Sequence, residues 1–224
     1  YGVSPQMRSR VTAAIEELGY RPNAGARGMR GRSYTVGVVL SELTSPFQPE
    51  VAKGISDELE DSPYQDVIVT GGTTSEHQQR SIEALLDRQV DGLVLVAPWL
   101  DVAWIEKVAE TVPVVAIALH GPAINFDTVV HDHRVGTQLV VDYLLDLGHR
   151  RIVHTSMAPA DIGEGFMLSH TATRQAFEQA MRRRHLEPDV VETWYDEQGG
   201  YQATMQAFDR ALPPTAIFAG ADIA

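Results

Sequence analysis

Apolar residues recur along this chain in two successive rhythms. In the first, Met7, Val11, Ile15 and Leu18 fall on one face at helical spacing. Ser4 suits the N-cap and Pro5 the first helical position, while Gly19 ends the helix and Pro22 prevents its restart. From Tyr34 onward, short continuous apolar runs alternate with helical patterns. Strands are predicted at Tyr34–Leu40, Asp66–Thr70, Gly92–Ala97, Pro113–Leu119, Arg151–Thr155, Val190–Trp194 and Thr215–Ala219, with a short edge strand at Thr128–His131. Helices are predicted at Pro49–Asp61, Ser75–Arg88, Ala103–Glu110, His133–Leu147, Ser169–Arg184 and Gln198–Ala211. Alternation of helices with near-continuous apolar strands points to an α/β fold of doubly wound parallel sheets, covered on both faces. Ligands of such folds bind beyond the carboxyl ends of the strands, so the residues just after each strand are the ones to weigh.

Composition narrows the function classes. The 224 residues carry no cysteine, which excludes a disulfide framework, a thiolate metal site and a cysteine nucleophile. No apolar run approaches the roughly 20 residues that span a bilayer, and no signal-peptide pattern opens the sequence, so a cytoplasmic protein without membrane contact is expected. The net charge of −12 argues, as an average, against nucleic acid. It is unevenly spread. Residues 1–33 hold six arginines and two glutamates, a net of +4, and the remainder carries −16. Within the basic end, residues 23–33 hold three glycines and three arginines and no acid. Each glycine costs a helix interior about 1 kcal/mol relative to alanine, so this segment is at best marginally helical alone and reads first as a linker. The chain opens on Tyr1 and stops at Ala224, and it reads as a fragment.

Enzyme signatures are missing: there is no GxGxxG, GxxxxGK[ST], GxSxG or HExxH. No catalytic residue, cofactor or metal is therefore expected. His131-Asp132-His133 offers two imidazoles that align only on a strand, and no third ligand is evident. The predicted strand ends carry Ser45-Pro46-Phe47, Gly71-Gly72, Trp99, His120, Asp132-His133-Arg134, Ser156, Tyr195 and Asp222. Aromatic faces mixed with hydrogen-bonding side chains suit a polar, sugar-like ligand. Taken singly, each has a structural reading as well. Asp132, for example, is placed to cap the following helix.

Several stretches resemble the lactose/galactose repressor (LacI/GalR) family. They are Val3-Ser4 with Arg8 and Val11, Ala14 to Ala24 (AIEELGYRPNA), Ala26-Arg27 and Met29-Arg30. Further along come Ser45-Pro46-Phe47, Val90-Asp91-Gly92-Leu93, Asp132 with Gly136, Leu147 to Ile152 (LGHRRI) and Pro213 to Phe218 (PPTAIF). The matches run nearly the whole chain in order, and GYRPN and LGHRRI are the specific ones. The resemblance implies a transcriptional regulator, usually a repressor, that binds operator DNA as a homodimer and senses a small carbohydrate effector. That effector would lie in the cleft of a two-lobed core like that of periplasmic sugar-binding proteins.

The implied organisation places residues 1–22 at the end of a helix-turn-helix headpiece whose first two helices would precede Tyr1. Residues 23–33 become a hinge helix that orders on DNA. Residues 34–149 form the N-terminal lobe and 150–224 part of the C-terminal lobe, whose core would continue past Asp222. In the hinge, Met29 takes the position of the apolar minor-groove wedge, and Asn23, Arg27 and Arg30 belong with it as DNA contacts. For the effector, Phe47 and Asp132 match family ligand positions, Asp222 matches the aspartate of an Asn-Asp pair, and Tyr195 falls at a frequent stacking aromatic. Thr173 occupies the position of an effector-binding arginine, with Arg174 as its neighbour. Ala221, His133 and Ala118 replace an expected Asn, Asn and Asp, which departs from the usual pentose or hexose site. Two other readings stand beside it: a solute-binding protein of a transporter, which shares the two-lobed core, and an α/β enzyme acting on a small polar metabolite.

Overall fold

The computed structural model describes residues 4–19 and 31–223. The proposed DNA contacts Asn23, Arg27, Met29 and Arg30 lie outside the described residues. Helix α1 spans Pro5–Leu18, with the Ser4 hydroxyl accepting from the Met7 amide and Gly19 closing it in the left-handed conformation, φ 58°. No residue of α1 is buried, and Met7, Val11 and Leu18 are each half exposed or more.

The core begins with β1 (Thr35–Leu40), α2 (Phe47–Leu59), β2 (Gln65–Thr70), α3 (Ser75–Leu86), β3 (Gly92–Val96), α4 (Val102–Ala109), β4 (Val114–Ile117), β5 (Leu119–His120) and β6 (Asp127–Val129). It continues with α5 (His133–Asp146), β7 (Ile152–Ser156), β8 (Met167–Leu168), α6 (Ser169–Arg183), β9 (Asp189–Glu192), α7 (Glu197–Phe208) and β10 (Ala216–Phe218). A five-stranded parallel sheet runs β2-β1-β3-β4-β6, and a three-stranded parallel sheet runs β10-β7-β9. In the first sheet the chain leaves β1 to one side for β2 and crosses to the other for β3. The loops after β1 and β3 therefore diverge at a topological switch point, where α/β folds open a crevice.

Apolar strand runs bury both faces, as their continuity requires. Val39, Leu93 and Leu95 pack with Ile82, Leu85 and Ile105 on one side of the first sheet, while Val38, Leu40 and Val96 pack with Ala52 on the other. β2 departs from this, because it is the edge strand and leaves Val67 and Ile68 about two-fifths exposed.

Two segments pack where the sequence did not place them. Helix α5, expected in the N-terminal lobe, buries Val141 and Leu145 against Ile152, Phe177 and Met181 of the second unit. Conversely, Ile162 and Leu168, expected in the second, join the core of the first sheet. The Val102 amide donates to the Ile162 carbonyl at 2.9 Å, and β8 pairs antiparallel with β5, Leu119 opposite Leu168 and His120 opposite Met167. The chain thus passes between the units at 130–132, returns over the first as a strap at 157–168, and re-enters the second at α6.

Candidate functional site at the carboxyl ends of the strands

Buried amides frame the rim of the first sheet. The Gln78 side chain donates from Nε2 to the Gly72 carbonyl at 2.7 Å and to Ser41 Oγ at 3.1 Å, and its Oε1 accepts the Trp99 amide at 2.8 Å. Ser41 Oγ donates in turn to the Ala97 carbonyl at 2.9 Å, and the Ser41 amide donates to Gln48 Oε1 at 2.7 Å. Ser41, Gln48 and Gln78 are all buried, so each bond is made where water does not compete and where its loss would strand a polar group. A Cβ on Gly71 would lie 2.8 Å from Gln78 Cγ, which makes glycine there the condition for the amide to reach across. One side chain therefore ties together the loops after β1, β2 and β3.

From this frame Trp99 projects toward the second unit. Its ring stacks on His170 at the start of α6, 5.7 Å apart at an interplanar angle of 20°, and lies 6.3 Å from Trp194, just past β9. The Ala158 carbonyl accepts from His170 Nε2 at 3.1 Å, which fixes the tautomer, and burial holds the imidazole below its usual pKa. Trp194 is 58% exposed, so an indole face stays open at the junction of the two units. Neither His170 nor Trp194 was singled out by sequence. A signal existed for Trp194, because it ends a predicted strand and sits beside the chosen Tyr195.

Tyr195 points the other way. Its hydroxyl is buried and lacks a hydrogen-bond partner, and burial pushes the phenol up in pKa, with the nearby Ser156 and Met157 opposing. A Cβ on Gly220 would come within 2.3 Å of that hydroxyl and 2.2 Å of the Thr155 carbonyl, so the ring is seated against backbone.

The segment that joins the units carries a third group. His133 Nδ1 lies 2.7 Å from Thr173 Oγ1, and its ring is 3.8 Å from that of His131 and 4.8 Å from that of His120. His120 Nε2 lies 3.3 Å from Ser169 Oγ. Burial, then the charges of His131 and His120, bring the His133 pKa down to about 4, against a weaker opposing pull from Asp132. Asp132 serves as the cap of α5, accepting the Val135 amide at 2.9 Å, and that bond lowers its pKa. His120, His131, Asp132 and His133 border a pocket of about 520 Å³ with Met167, Gln175 and Gln179. Among the described residues, no group of three or more His, Asp or Glu side chains is placed to hold a metal ion.

The sequence-derived candidates are thus only partly gathered. Asp132, His133 and Thr173 meet at the crossover. Arg174 instead pairs with Glu192 at 2.6 Å and Glu178 at 3.3 Å within the second unit. Its neighbour Thr173 faces His133, so the two side chains diverge, as a helical step of about 100° dictates. Phe47, the first residue of α2, is 45% exposed. Asp222 is exposed in the turn after β10.

Two parallel sheets whose carboxyl ends face each other across aromatic rings define a periplasmic-binding-protein-like core. Residues 33–224 match the family described as periplasmic binding proteins and sugar binding domain of the LacI family, and the chain belongs to that family. It is 28% identical to catabolite control protein A of Priestia megaterium, over 98% of this chain and 66% of that protein. It is 29% identical to the ribose operon repressor of Escherichia coli K12, over 98% of this chain and 67% of that protein. The chain spans about two thirds of the length of these relatives. Among solved structures, a LacI transcriptional regulator from a Rhodococcus species is similar, with a TM-score of 0.71, 25% identity, and 83% of this chain and 66% of that one covered. The lac repressor dimer bound to operator and the anti-inducer ONPF shares the fold, with a TM-score of 0.79 and 23% identity over 98% of this chain and 66% of that one. No described helix is long and apolar enough to cross a membrane.

Proposed function

We propose that this chain is the effector-sensing core and DNA-facing linker of a transcriptional repressor. A small carbohydrate held between the two units would set its affinity for operator DNA. The observation that carries the reading is the contact of Trp99, from the first sheet, with His170 and Trp194 of the second. Aromatic faces and hydrogen-bonding rims at facing strand ends suit the flat apolar face and polar edge of a sugar ring. The regulatory part rests on kinship with operon repressors along 98% of the chain and on the basic composition of residues 1–33.

In this reading Trp99 and Trp194 form the stacking wall, and Asp132, Thr173, Phe47, Tyr195 and Asp222 lie on or behind the rim. The Asn23, Arg27, Met29 and Arg30 side chains face DNA, and two copies assemble as a homodimer. The reading assigns no catalytic residue and no cofactor. The first unit runs to about residue 130 and the second from about 131, with the strap at 157–168 returned to the first. Sugar binding between the units shifts their relative disposition by as much as it distinguishes the two arrangements, and that shift reaches the linker.

Calorimetric titration of the full-length protein with pentoses, hexoses and their phosphates tests the sensing half. A sugar that binds and quenches tryptophan emission is expected. If none binds, or if the protein turns a sugar over, the reading falls.

A further inference from the structure

Opposite the rim, at the amino ends of the same strands, one carboxylate holds the point where the linker meets the first unit. Asp91 precedes β3. Its Oδ1 accepts the Ser33 amide at 3.0 Å and its Oδ2 accepts the Tyr34 amide at 2.7 Å. The Asp91 amide donates back to the Thr35 carbonyl at 2.8 Å. Both carboxylate oxygens are thus spent on the two residues that lead into β1, as charge-assisted bonds to backbone. The grip imposes a conformation. Tyr34 is held at φ 53°, a left-handed setting that a bulky residue adopts only when its surroundings demand it. Its ring meets Tyr64 edge-on at 5.4 Å, and its carbonyl accepts the Gln65 amide at 2.9 Å.

The same two strands are pinned at their other ends. Ser41 Oγ, after β1, donates to the carbonyl of Ala97, after β3, and Gln78 binds Ser41 and the Trp99 amide. Between these clasps β1 and β3 are paired in parallel register from Val36 opposite Gly92 to Leu40 opposite Val96, roughly 15 Å of buried sheet. A strand pair fixed at both ends and packed on both faces moves as a rod rather than bending.

We infer that Asp91 is the positioning residue that fixes where and in what direction the linker leaves the core. Through the β1–β3 pair it carries rearrangement at the aromatic rim to the DNA-facing end. This rests on the proposed function for the role of the linker. The anchor itself rests only on the hydrogen bonds.

The full-length protein and its Asp91→Asn and Asp91→Ala variants separate the two. Hydrogen–deuterium exchange reads the anchor. The Ser33 and Tyr34 amides should exchange about tenfold faster or more in Asp91→Ala, the effect of losing bonds to a charged acceptor. Asp91→Asn, which keeps one acceptor oxygen, should fall between, and the Leu93–Val96 amides should keep their wild-type rates. Unchanged exchange at Ser33 and Tyr34 overturns the anchor. Equal acceleration across β3 overturns it too, because Asp91 would then merely stabilise the strand.

Affinity for a duplex selected by the wild-type protein from a random-sequence library reads the coupling. It should fall about tenfold or more in Asp91→Ala and less in Asp91→Asn. Wild-type affinity in a variant whose linker amides have loosened overturns the coupling while leaving the anchor. If the wild-type protein selects no duplex, the repressor reading fails, and the coupling with it, while the exchange experiment still decides the anchor.

Discussion

Trp99 and Trp194 hold their rings 6.3 Å apart across two separate sheets, each at the carboxyl end of its strand. Trp99 is seated on buried structure through its amide bond to Gln78, whereas Trp194 is 58% exposed. The pair therefore joins a rigid face to an open one.

Replacing Trp194 by Ala should weaken sugar binding by about 1–3 kcal/mol, a loss of roughly five- to 150-fold, through the lost ring stacking. Stability should barely change, since little burial is lost. Trp99→Ala should cost both affinity and stability. Calorimetry with the sugar that binds the wild-type protein, paired with thermal unfolding, distinguishes them. Unaltered affinity in Trp194→Ala removes this indole from the site.

The buried imidazoles set a pH dependence. Burial lowers the pKa of His120, His133, His154 and His170, His133 to about 4. A histidine depressed in the folded state binds fewer protons than the unfolded chain between those pKa values. Stability is then full above the unfolded value near 6.5 and falls as pH drops from there toward 4. Half-exposed groups feel only part of this, so a decrease of about 2–4 °C in Tm from pH 7.5 to pH 5 is the modest expectation. His133 C2–H resonances that titrate near 6.5 would contradict the packing against His131, His120 and Thr173.

Two glycines give opposite outcomes to the same substitution. Gly220→Ala drives a Cβ to 2.2 Å from the Thr155 carbonyl and should cost about 1–3 kcal/mol or more in denaturant unfolding. At Gly54, inside α2, an added Cβ would meet nothing within 4 Å, so Gly54→Ala should stabilise by about 0.5–1 kcal/mol.

Arg174→Ala should destabilise the second unit by about 1–2 kcal/mol, between the values for exposed and buried pairs, because Glu192 loses its partner and Glu178 keeps only Arg182. Sugar affinity should be unaffected. A large loss of affinity at unchanged stability would return Arg174 to the rim.

Much of this was legible in the chain. Capping residues and apolar rhythm located α1 and the core strands, because local propensity and burial agree there. The assignment of elements to units was not legible. Val141 and Leu145 recur at ordinary helical spacing, and that spacing says nothing about which sheet receives them. The strap was hidden for a different reason. β8 is two residues long, too short for any period, and Ile162 reaches the first core from a stretch without strand or helix. At the site, the sequence pointed to Tyr195, whose hydroxyl is buried, while its neighbour Trp194 is the ring that meets Trp99. Gln48 and Gln78 escaped notice because their burial is tertiary, and a helical glutamine ordinarily reads as solvated.

The most direct measurement is operator binding by the full-length protein, titrated with the sugar that binds its core, for the wild type and Trp194→Ala. A wild-type operator affinity that shifts at least fivefold at saturating sugar, with the midpoint displaced to higher sugar concentration in Trp194→Ala, is the expected result, fivefold being roughly the lower end of ordinary allosteric coupling. Operator affinity that stays constant while sugar demonstrably saturates the wild-type protein would contradict it.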